Sequence, residues 1–88
     1  MGTPSPRKLF WIIGIQGAWV RIEGLRFGQL PIGPTPFETE KAAMGAAQHV
    51  FVGELHTVLL KRVPRAWLES VARGDTQAKV QVYRPERR

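Results

Sequence analysis

Residues 8–24, KLFWIIGIQGAWVRIEG, are dense in β-forming side chains and are interrupted once, at Gln16-Gly17. Taking those two residues as the centre of a hairpin turn places Ile15 opposite Ala18, Ile13 opposite Val20 and Trp11 opposite Ile22. One face of the hairpin then carries Leu9, Trp11, Ile13, Ile15, Ala18, Val20 and Ile22, all apolar. The other carries Lys8, Phe10, Ile12, Gly14, Trp19, Arg21 and Glu23, a mixture of aromatic, aliphatic and charged groups. Because side chains alternate with a period of two, a one-residue slip would mix the two sets, so the register is well specified.

Beyond Gly24 the pattern changes. "LRFGQLPIGP" reads as a short third strand or a looping edge, since Pro31 and Pro34 cannot donate to a central ladder. "TPFETEKAAMGAAQHVF" reads as a helix with two candidate starts. Thr35-Pro36-Phe37-Glu38 fits a capping box with Pro in the first helical position, and Thr39 is an equally good N-cap. Either start sets Glu38 and Glu40 near the positive end of the helix dipole. The small residues Ala42, Ala43, Gly45, Ala46 and Ala47 suit a helix lying close to a sheet, and Gly45 is read as permitting that approach.

Gly53 ends this helix, and "ELHTVLLKRV" is the next strand. Its apolar triplet Val58-Leu59-Leu60 argues for a central position buried on both sides. Pro64 opens a second helix, "PRAWLESVARGD", with Trp67, Leu68, Val71 and Ala72 on one stripe, Arg73 in the last turn and Gly74 just beyond it. "AKVQVYR" alternates again and reads as an edge strand, with Ala78, Val80 and Val82 inward and Lys79, Gln81 and Tyr83 outward. Residues 1–7 form an arm and 85–88 a basic tail around a single domain, 8–84. The expected fold is α+β, with a small antiparallel or mixed sheet in the order β-β-(β)-α-β-α-β and two helices packed on it. No family-specific motif stands out along the chain.

Composition narrows the function. The chain has 88 residues, no cysteine and a net charge of +6, with 13 Lys and Arg against 7 Asp and Glu. Without cysteine there is no disulfide, thiolate metal site or Cys nucleophile. The charge is uneven: +3 over residues 1–34, −2 over 35–54 and +5 over 55–88. Such an excess favours an anionic partner, although basic composition also serves solubility alone. No run approaches the length needed to span a membrane. Arg7-Lys8 followed by Leu9–Ile15 has the order of a signal peptide, but glycines interrupt the run and no small-x-small cleavage site follows. The second residue is glycine, but Pro6 breaks the myristoylation pattern. The expected location is the cytoplasm.

Catalytic chemistry is hard to assemble. Ser70, a histidine and Asp75 are the ingredients of a hydrolytic triad, yet nothing in the sequence presents the serine on an elbow. His49, Glu54 and His56 are chemically suitable for zinc or iron, but their spacing matches no compact ligand motif, and they read as ordinary surface residues. The Gly14 to Gly17 stretch lacks the Lys-Ser/Thr of a phosphate loop. No cofactor, metal or small-molecule substrate is therefore expected.

Two surfaces remain. On the mixed hairpin face, Phe10, Trp19 and Arg21 could stack bases and hold phosphates, or anchor a protein partner, with Trp67 as a further anchor. The plainer alternative is that the second helix covers this face, packing Trp67 and Leu68 on Phe10 and Trp19. The second surface is basic: Lys61, Arg62 and Arg65 straddle the junction between the third strand and its helix, and Arg73, Lys79 and Arg84 follow. The junction also lies at a helix N-terminus, where backbone N–H groups favour anions. The sequence thus leads to a small, basic, non-enzymatic binding protein that engages nucleic acid or a nucleoprotein complex. The rival reading is a protein–protein module using the Trp/Phe patch, either a subunit of a larger assembly or a small inhibitor of the mobile-element or phage type.

Overall fold

A computed structural model describes residues 8–24, 30–51 and 57–84. Six elements follow one another: β1 (Leu9–Ile15), β2 (Ala18–Ile22), α1 (Glu40–Val50), β3 (Val58–Pro64), α2 (Arg65–Arg73) and β4 (Val80–Tyr83). The strands form one mixed sheet in the order β3-β1-β2-β4. β1 is antiparallel to both β2 and β3, whereas β4 runs parallel to β2. The helices cover opposite faces, giving the expected α+β domain.

The hairpin turn is where the pattern put it. Gln16 and Gly17 both have positive φ, 52° and 82°, the combination that matches the natural strand twist in a two-residue turn. Ile15 pairs with Ala18 and Gly14 with Trp19. Beyond those pairs the strands diverge and residues 35–37 enter between them. Trp11 and Phe37 exchange both backbone hydrogen bonds, at 2.7 and 2.8 Å. The Thr35 N–H donates to the Val20 carbonyl (3.1 Å), and the Ile22 N–H donates to Thr35 Oγ1 (2.8 Å). Trp11 therefore faces Phe37, not Ile22, and Thr35 is an internal strut, not a helix cap. The α1 cap is Thr39, whose Oγ1 accepts from the Ala42 N–H.

Two cores follow from the two faces. Ile13, Ile15, Val20 and Ile22 pack against Ala43, Ala47 and Phe51 of the α1 side. Ile12 and Val63 pack against Leu68 of α2, with Phe10, Trp19 and Trp67 around them. The fully buried Ile12 alone contributes about 2–3 kcal/mol of transfer free energy.

Several expectations are corrected by this packing. Gly45 points away from the sheet, and a Cβ there would meet nothing within 4 Å; the close approach is made by Ala43 and Ala47. β3 is an edge strand, not a central one, and Leu59 is 57% exposed. β4 is at the other edge as expected, with Lys79 exposed and Ala78 and Val80 partly buried, but the expected alternation fails at its end. Tyr83 packs inward, edge-on to Phe51 at 4.8 Å, while Val82 is 53% exposed. The arm, the tail, the first half of the suggested third strand (25–29) and the segment 52–56 lie outside the described residues. From Leu30 to Pro36 the backbone forms bends and irregular chain.

Candidate binding surface at the β3 edge

The path of the backbone defines what β3 offers. In an antiparallel ladder, successive residues aim their N–H and C=O groups alternately to the two sides. Trp11 spends both groups on Phe37, on the β2 side, so Phe10, Ile12 and Gly14 aim theirs at β3. Their partners Val63, Lys61 and Leu59 are thereby the inward-bonding residues of β3. Val58, Leu60 and Arg62 must aim their N–H and C=O groups outward, where no strand pairs with them among the described residues. Pro64 follows in the same outward series and has no N–H, so it ends the usable edge.

Beside this edge lies an apolar groove. Leu59, Gly14 and Trp19 form a row across the sheet on the α2 face. A Cβ at Gly14 would come within 2.9 Å of Trp19 Cζ3 and 3.0 Å of Cε3, so the missing side chain is what lets the indole lie over the strand. Trp67 meets that indole edge-on at 6.3 Å. α2 starts at the Pro64 end of β3, away from the hairpin turn, and packs Leu68 on Ile12 and Trp67 on Trp19, so that no α2 residue lines the corner near the turn. The resulting groove, about 370 Å³, is bounded by Gly14, Gln16, Ala18, Trp19, Thr57 and Leu59.

The cations suggested by the sequence have different fates. Arg21 is internal: its side chain is 15% exposed, pairs with Glu23 at 2.9 Å and donates to the carbonyls of Leu30 (2.8 Å) and Gly33 (3.0 Å). It ties β2 to the following loop. Arg65 pairs with Glu69, and Arg73 with Asp75, each at 3.0 Å. Lys61 and Arg62 are exposed but lie on opposite faces of β3, Lys61 with Ile12 and Arg62 with Trp11. The Arg62 guanidinium sits 5.3 Å from the Trp11 ring centroid. Lys79 and Arg84 flank β4 at the opposite edge. Phe10 and Trp19 are half-buried with Trp67 and Leu68 of α2, the arrangement in which the helix covers the mixed face.

Elsewhere, the Ser70 and Thr76 hydroxyls share a hydrogen bond that helps close α2, and Asp75 is engaged by Arg73. His49 is exposed in the last turn of α1, while Glu54 and His56 lie outside the described residues.

Leu59 and the outward backbone of β3 are the features that sequence reasoning missed. Lys61-Arg62 and Pro64 within the strand were available edge signals. The apolar triplet Val58-Leu59-Leu60 points the opposite way. No family model, no curated protein and no solved structure matches this chain.

Proposed function

We propose that this is a small, non-enzymatic binding protein whose working surface is the outer edge of β3, and that it recruits a protein partner there. One observation carries the reading: a seven-residue strand with outward N–H and C=O groups runs beside an apolar groove headed by the exposed Leu59. An edge of that kind is a template for an added strand, with main-chain bonds giving affinity and the groove giving selectivity.

A second reading, nucleic acid or a nucleoprotein complex, is supported by a different observation. The chain carries +6, and Lys41, Lys61, Arg62, Lys79 and Arg84 have no carboxylate within ion-pair distance among the described residues. They are spread over both edges and both faces, so they suit diffuse contact with a polyanion better than a single phosphate-binding track.

Affinity capture with and without nuclease separates the two, using the wild type and Leu59→Asp. The first reading expects a partner that survives nuclease and is lost with Leu59→Asp. Loss on nuclease treatment, with Leu59→Asp still binding, overturns it in favour of the second.

A further inference from the structure

We infer that the β3 edge accepts an extended, acidic segment of a partner protein as a fifth strand, with two adjacent carboxylates facing Lys61 and Arg62 and an apolar side chain seated against Leu59. This rests on the reading of β3 as the working edge and specifies what binds there.

The geometry fixes the pattern. A strand laid along β3 bonds to the outward groups of Val58, Leu60 and Arg62, and its side chains alternate in step with those of β3. On the α2 face its residues stand opposite Leu59 and Lys61. On the α1 face one stands opposite Arg62, whose guanidinium is steadied over Trp11. Neighbouring residues of the guest therefore meet Lys61 and Arg62 from opposite faces, so an adjacent acidic pair satisfies both. The position two residues from the one facing Lys61 meets Leu59 at the groove, where an apolar group buries the exposed leucine. Pro64 stops the ladder at one end.

Charge also selects against the commonest wrong guest. Pairing β3 with β3 of a second copy would bring four cations, Lys61 and Arg62 from each chain, into one short ladder, and like charges across strands are destabilising. Edge cations are a recurrent defence against self-pairing. Here the same two residues that repel a copy attract an acidic strand.

The test uses labelled peptides of about eight residues, enough to match β3. They share a threonine–valine frame, with one leucine and either two adjacent glutamates or two glutamines, each made in both chain directions. Binding is read by fluorescence anisotropy against the full chain. The acidic peptide in one direction should bind several-fold more tightly than its glutamine counterpart. Lys61→Gln should weaken it by up to about five-fold, the size of one cross-strand charge pair. Lys61→Glu should weaken it further, and a lysine-bearing peptide should recover binding to that variant. N-methylation of guest residues whose N–H faces β3 should abolish binding, while methylation at the alternate residues should not; contact through side chains alone would not give that alternation. Lys61 is exposed, so its variants are expected to fold, and circular dichroism checks this.

Equal binding of the glutamine peptide, with the same methylation pattern, overturns the acidic specificity while leaving the edge as the site. Failure of every peptide, with a nuclease-resistant partner still lost on Leu59→Asp, overturns strand addition but not the protein-binding reading. If instead a single-stranded oligonucleotide binds in a Lys61- and Arg62-dependent way and capture is nuclease-sensitive, both fall.

Discussion

Replacing Thr35 with valine tests whether residues 35–37 truly hold the two central strands apart. Thr35 is 1% exposed, its Oγ1 accepts the Ile22 N–H at 2.8 Å, and its own N–H donates to Val20. Valine keeps the branched shape and the backbone bond but removes the acceptor facing Ile22. No cavity forms, so the cost is that of withdrawing a partner from a buried N–H, about 1–3 kcal/mol. In a domain of this size each kcal/mol moves Tm by roughly 4–8 °C. Thr35→Val should therefore melt at least about 4 °C below the wild type. Thr35→Ser, which retains the hydroxyl and loses one methyl, should cost about 1 kcal/mol and spare the hydrogen bond. Thermal unfolding followed by circular dichroism gives the stabilities, and native-state hydrogen exchange at the Ile22 amide reports the bond directly. If Thr35→Val were as stable as the wild type and the Ile22 amide exchanged no faster, the strut would not be bearing on that amide, and the reasoning would be refuted.

Three further substitutions probe separate parts of the fold. Gly14→Ala forces a Cβ to within 2.9 Å of the Trp19 ring and should cost about 1–3 kcal/mol, with a red shift of tryptophan emission as the indole is displaced; unchanged emission and stability would contradict the close approach. Gly45→Ala places a methyl in open space within a helix and should stabilise by about 1 kcal/mol in urea unfolding. A loss of stability there would mean that Gly45 does approach a neighbour. Arg21→Met deletes the bonds to Leu30 and Gly33 and should destabilise by about 2 kcal/mol. Because that arginine is internal, the same change should leave the salt dependence of any polyanion binding as it was, and a shallower slope would place Arg21 on the binding surface.

Much of the architecture was legible because it rests on local chemistry. The Gln16-Gly17 turn, the two-faced hairpin, the Thr39 start among the two considered, and the Gly74 stop are each written in a few adjacent residues. The errors are of another kind. Trp11 pairs with Phe37 and β3 sits at an edge because of chain segments far away in sequence, which a period of two cannot reveal. The exchange of Val82 and Tyr83 at the end of β4 has the same origin: Tyr83 packs edge-to-face with Phe51, at the end of α1. Among the candidate site residues, the pattern identified Lys61 and Arg62 as a pair but not that successive strand positions put them on opposite faces of an open edge. Arg21 read as a surface cation because nothing local shows that it reaches carbonyls nine and twelve residues on.

The segment entering between β1 and β2 has a consequence for how this chain folds. A tight hairpin can form within microseconds, ahead of longer-range contacts. Here the pairs next to the turn are the expected ones, but continuing that register would set Trp11 against Ile22, which in the native sheet bond to Phe37 and Thr35. A hairpin that closed past Gly14 and Trp19 before residues 35–37 arrived would have to reopen to reach the native sheet. The local pattern and the native pairing therefore disagree at the open end of the hairpin, a point of frustration at the centre of the sheet.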